Sequence, residues 1–157
     1  MVSFPEPTMV KTNGIDMAVY EAGPKNGFPV VLCHGFPELA YSWRHQLPAL
    51  ADAGYRAIAP DQRGYGRTSR PERVEDYDMQ HLTDDMAGML DALGIDKAVF
   101  VGHDWGGIVV WQMPIYRPSR VSGVIGVHTP FFARPPLAPI AGLRAMRGDK
   151  NYVVFLD

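Results

Sequence analysis

Gly102-His103-Asp104-Trp105-Gly106-Gly107 sets a carboxylate among glycines, after a short apolar run rich in β-branched residues and before a helix-compatible one. Where a strand turns abruptly into a helix, the residue at the apex is held in a strained backbone conformation. Its neighbours then tolerate little or no side chain. The spacing is that of a nucleophile elbow, with Asp where hydrolases of esters carry Ser. A carboxylate is already ionised near neutral pH, so it needs no base to become a nucleophile. It can open an electrophilic carbon by displacement and leave an alkyl ester for water to cleave. The N-terminus of the following helix favours a carboxylate there, and any anion that develops beside it. Alone, the same spacing also describes a strand-end turn with a capping Asp, so the surrounding elements have to decide.

Ala98-Val-Phe-Val-Gly102 reads as the strand entering the elbow, and a helix is expected just after Asp104. Pro114 falls inside that helix, where it should cost a hydrogen bond and kink it. Upstream, Ile15 to Ala22 alternates as an antiparallel strand after an Asn13-Gly14 turn. Pro29 to His34 and Tyr55 to Pro60 read as further strands. Between them Trp43, Leu47, Leu50 and Ala51 fall at helical spacing, closed by Gly54, with Pro48 bending that helix or marking its true start. Asp78 is a good N-cap for a helix whose apolar face is Met79, Leu82, Met86, Met89, Leu90 and Leu93, ending at Gly94. Val121 to Val127 is a last strand. From Thr129, prolines 130, 135, 136 and 139 break the pattern, so an excursion from the sheet is expected. Strands alternating with helices predict an α/β fold with a mostly parallel sheet and helices on both faces.

The chain of 157 residues, 46% hydrophobic and 20% charged, is ordinary for one soluble globular domain. A net charge of −2 gives no electrostatic footprint for nucleic acid or an anionic membrane. No apolar run approaches the roughly 18 residues needed to cross a bilayer. Its single cysteine, Cys33, excludes an intrachain disulfide and reads as a buried structural residue. With no export signal at the N-terminus, a cytoplasmic location is expected. No cofactor and no metal site is called for. Arg63, Arg67 and Arg70 read as a solvated loop with local ion pairs, an anion site being the alternative.

His34-Gly35-Phe36-Pro37 follows the earlier buried strand. In an α/β hydrolase that loop gives one oxyanion-hole N–H, and the residue after the nucleophile gives the other. The donors here would be the backbone N–H groups of Phe36 and Trp105, holding the anion formed as water attacks the ester. His34 itself reads as a structural hydrogen-bonding residue of the loop.

Together with Tyr41-Ser-Trp-Arg-His-Gln46, Asp61-Gln-Arg-Gly-Tyr-Gly66 and the elbow, His34-Gly-Phe-Pro-Glu38 resembles the soluble epoxide hydrolases of the α/β-hydrolase fold. The resemblance covers nearly the whole chain. It implies addition of water to an epoxide through an ester on Asp104, giving a vicinal diol, with Phe36, Pro37 and Trp105 lining the substrate site. It also implies a cis Phe36-Pro37 bond and two lid tyrosines acting as general acids. Tyr152, in Asn151-Tyr-Val-Val-Phe-Leu156, matches the first of these in local sequence and in distance from the nucleophile. Residues 1–128 are then the N-terminal part of the core, and 129–157 the beginning of the lid.

The implied chemistry also needs a His base and an acid that orients it, in the chain order nucleophile, acid, histidine. His34, His45, His81 and His103 precede Asp104. His128 follows too soon, and Val127-His-Thr-Pro130 offers no carboxylate. The expectation is that the acid, the base and the second tyrosine lie in a missing C-terminal segment beyond Asp157, the chain being truncated near the start of the lid. Two alternatives stay open: a haloalkane or haloacid dehalogenase with the same nucleophile, or a truncated chain with no activity by itself. Haloalkane dehalogenases usually carry Asn where Phe36 stands, and fluoroacetate-type enzymes Arg where Trp105 stands, so both positions favour the epoxide.

Overall fold

Successive side chains of a strand point to opposite faces of its sheet. On β3 (Pro29–Cys33) both sets are apolar: Val30 and Leu32 join one buried cluster, Val31 and Cys33 another. Such a strand needs cover on both sides. The computed structural model describes residues 4–131 and has that cover. With β1 (Thr8–Thr12), β2 (Ile15–Ala22), β4 (Arg56–Pro60), β5 (Ala98–His103) and β6 (Val121–Val127), β3 forms one sheet in the order β1-β2-β4-β3-β5-β6. The β3–β4, β3–β5 and β5–β6 pairs are parallel, whereas β2 is antiparallel to both β1 and β4. On one face lies α1 (Gln46–Asp52), whose Leu47 packs with Trp43, Leu32, Ala57 and Ala59. On the other lie α2 (Met79–Ala92) and α3 (Trp105–Tyr116), bringing Met86, Met89, Leu90, Val109, Val110 and Met113 onto Val31, Ile58 and Phe100.

β1 is a strand that the sequence pattern does not announce, because only Val10 and Thr12 of its residues are buried. It exists as the partner of β2, through a two-residue turn in which Asn13 and Gly14 have φ of 43° and 78°. The segment before α1 resolves into a short 3-10 turn, Ala40–Trp43, and a separate helix with Pro48 in its first turn. Proline is tolerated there, since those N–H groups have no intrahelical acceptor. Asp78 caps α2 as expected, accepting the His81 N–H at 2.8 Å. α3 runs through Pro114 to Tyr116, so the proline falls in its last turn. It removes the one bond its N–H would give the Val110 carbonyl, and the Arg117 N–H on the Met113 carbonyl at 2.7 Å closes the helix after it.

The arginine loop departs from expectation. Arg63 is buried and makes a two-pronged ion pair with Asp85 of α2, at 2.7 and 2.6 Å, while Asn13 donates to the same carboxylate at 2.9 Å. Arg67 and Arg70 do lie at the surface, on Glu6 and on the carbonyls of Gly64 and Gly66. No helix among the described residues is long and apolar enough to cross a membrane.

Candidate active site

β5 and α3 meet at Asp104, whose φ of 51° and ψ of −121° lie where non-glycine residues are strained. The glycines around it have distinct steric reasons. A Cβ at Gly102 would sit 2.3 Å from the Gly106 carbonyl oxygen, and one at Gly106 would sit 2.3 Å from that of Cys33. The strand-to-helix crossing is that close, and it pushes the helix start against the end of β3. At Gly35 a Cβ would lie 2.7 Å from Asp104 Cβ and 2.9 Å from Oδ1. The loop after β3 therefore rests on the Asp104 side chain.

That contact carries the principal hydrogen bond of the site: the Phe36 N–H donates to Asp104 Oδ1 at 2.9 Å. The Phe36-Pro37 bond is cis. Trp105 opens α3, so its N–H belongs to the first helical turn, whose N–H groups have no intrahelical acceptor. Phe36 and Trp105 are 47% and 41% exposed, which leaves apolar surface directly beside a carboxylate.

Behind the loop, His34 is fully buried. Its Nε2 accepts the Gln62 N–H at 3.0 Å, which leaves Nδ1 to donate to the Gly35 carbonyl at 2.9 Å. Burial pushes its pKa below the ordinary imidazole value, outweighing the Gly35 bond and the charges of Asp61 and Glu38. His34 is thus a neutral brace. The Gln62 side-chain amide donates to the His34 carbonyl, and the Tyr65 ring packs edge-on against the imidazole at 4.9 Å. Glu38 Oε2 accepts the Gly35 N–H at 3.3 Å and lies 3.6 Å from His103 Nδ1. Burial pushes the Cys33 thiol up to about 12, in keeping with a structural residue.

Asp104, Phe36, Pro37 and Trp105 thus come together at one end of the parallel strands. Tyr152 lies outside the described residues. Gln62 also braces the loop, a role that the sequence pattern does not single out. Its signal was its place in Asp61-Gln-Arg, but the partner is a histidine 28 positions away. Among the described residues no group of three His, Cys, Asp or Glu side chains is placed to hold a metal ion.

A family model of the alpha/beta hydrolase fold matches residues 29–152. Epoxide hydrolase A of Mycobacterium tuberculosis is 49% identical over 150 residues, which are 96% of this chain and 47% of that protein. Epoxide hydrolase 2 of Siraitia grosvenorii is 46% identical over 94% of this chain and 46% of its own length. The crystal structure of Epoxide Hydrolase A from Mycobacterium thermoresistibile superposes with a TM-score of 0.93 at 49% identity, over 96% of this chain and 48% of that one. This chain spans about half the length of the curated relatives it matches.

Proposed function

Since this chain belongs to the epoxide hydrolase family of the α/β-hydrolase fold, we propose that it carries the nucleophile half of an epoxide hydrolase site, with Asp104 as the attacking group. The observation that carries the reading is the Phe36 N–H on Oδ1 of a strained Asp104. That bond occupies one carboxylate oxygen and leaves Oδ2 to attack. A lone pair on Oδ2 forms a bond to an epoxide carbon and the ring C–O bond breaks, its electrons moving to the epoxide oxygen. A tyrosine hydroxyl, assigned to Tyr152, supplies the proton that turns this alkoxide into an alcohol.

The ester that results keeps Oδ1 as its carbonyl oxygen, already facing the Phe36 N–H. Water adds to the carbonyl carbon, and the negative charge that gathers on Oδ1 is held by the Phe36 and Trp105 N–H groups. Collapse expels the second diol oxygen as an alkoxide, which takes the remaining proton of the added water. A vicinal diol then leaves and the carboxylate is restored; the proton taken from the water by a base returns to the tyrosine. A base must take the proton from that water, and we assign it, with its orienting acid and a second tyrosine, to residues outside these 157. Residues 1–128 are assigned to the core and 129–157 to the start of the lid.

The test is the intact mass of the chain after incubation with styrene oxide, with Asp104→Ala as control. Attack needs no base, whereas hydrolysis does, so a stable adduct that vanishes in the control is expected. A folded chain that stays unmodified by styrene oxide, yet gains an alkyl group at Asp104 from a primary haloalkane, would overturn the epoxide reading in favour of a dehalogenase.

A further inference from the structure

The last glycine of the elbow has a different steric reason from the other two. A Cβ at Gly107 would meet Thr129, 2.4 Å from both its Cβ and its Oγ1, rather than the strand-to-helix crossing. His128, with φ of 58°, turns the chain at the end of β6, and Thr129 then lies over the start of α3. Its hydroxyl reaches two acceptors, the Asp104 carbonyl at 3.2 Å and the Val127 carbonyl at 3.4 Å, and donates to the nearer, which also accepts the Ile108 N–H at 3.2 Å. The Thr129 carbonyl in turn accepts from Trp111 Nε1 at 2.7 Å. That approach passes over Gly126, where a Cβ would sit 2.4 Å from the Thr129 oxygen and 2.6 Å from Nε1. Two glycines and an indole thus admit and hold a single threonine against the backbone of the elbow.

The Asp104 carbonyl belongs to the same peptide plane as the Trp105 N–H, and in a trans peptide the two point in opposite directions. Whatever fixes the carbonyl fixes the N–H. We propose that Thr129 is a positioning residue whose bond to the Asp104 carbonyl aims the Trp105 N–H at the oxyanion, with Trp111 holding Thr129 in place. The inference rests on the reading of Asp104 as nucleophile and of Trp105 as oxyanion donor. It assigns Thr129 a role in cleavage of the ester rather than in its formation.

The two steps can be timed separately in the full chain. Styrene oxide alkylates Asp104, and hydroxylamine then cleaves the ester, leaving a hydroxamate at Asp104 and free diol. Losing one hydrogen bond is expected to slow the hydroxylamine step about tenfold in Thr129→Val. The alkylation rate should stay within about twofold, and Thr129→Ser should restore the hydroxylamine step. Trp111→Phe, which leaves the elbow's own atoms in place, should show the same split. A Thr129→Val ester cleaved at the wild-type rate, or both steps slowed alike with no rescue by serine, overturns the proposal. Independently of any epoxide, the Trp105 N–H residual dipolar coupling should change in Thr129→Val while that of Val109 does not. If the unsubstituted chain forms no adduct, the nucleophile reading fails, and the coupling still decides the positioning: an unchanged Trp105 value overturns it.

Discussion

His34 touches no reacting atom in the proposed mechanism, yet it determines where the Phe36 N–H can be. Its Nε2 can accept the Gln62 N–H only while the ring is neutral, and burial keeps it neutral to lower pH than an imidazole in water. The unfolded chain takes up that proton near pH 6.5, and the folded chain does not until the pH is lower. Stability from this group is therefore complete above about pH 6.5. It should fall by up to about 1.4 kcal/mol per pH unit as the pH drops towards the depressed folded value, and level off below it. Urea midpoints measured across that window should show the slope, and His34→Asn should lose it, whatever its starting stability. A slope that survives in the variant would place the titration elsewhere.

Among the elements, α2 shows both what the sequence makes legible and where it stops. Its cap, its end and its apolar stripe are local signals: Asp78 bonds the N–H three residues on, and Met86, Met89 and Leu90 fall on one face. The same face also buries Asp85, whose partner Arg63 lies on the loop after β4. No periodicity predicts that pairing, because it depends on how two separate elements are placed. Much the same holds for β1, whose side chains alone do not mark a strand, and for Thr129, which reaches the elbow from across β6. The elbow was legible because its nucleophile and its glycines lie in six consecutive residues, although what crowds Gly106 and Gly107, Cys33 and Thr129, does not. Removing Asp85 alone should strand a buried guanidinium. Asp85→Ala is expected to cost about 3–5 kcal/mol, and the double replacement Arg63→Met with Asp85→Leu far less. Chemical denaturation of the two variants compares them directly, and equal losses would mean that the pair carries no such coupling.

Taken as a whole, the sheet is covered unevenly. β6 ends the strand order, and Ile125 and Val127, two residues apart on one face, are 52% and 40% exposed. α1 packs on β4 and β2, at the other side of that face, so the described residues leave apolar surface and an unpaired strand edge together. Self-association that grows between micromolar and millimolar concentration is expected in sedimentation velocity, and Ile125→Lys with Val127→Lys should reduce it. A chain that stays monomeric throughout would show that this surface is covered by other means.

The parallel pairing of β3 with β5 also has a consequence in time. Phe36 and the carboxylate its N–H binds are 68 residues apart in the chain. At the usual pace of protein synthesis, roughly 3 to 14 s pass between their appearances on the ribosome. For that interval the loop that ends β3 has no Asp104 to rest on, and β3 has an open edge where β5 will pair. The nucleophile and the donor that holds it are set together only when the later strand emerges, so a nascent chain stalled before residue 104 carries the Phe36 donor without the carboxylate it binds.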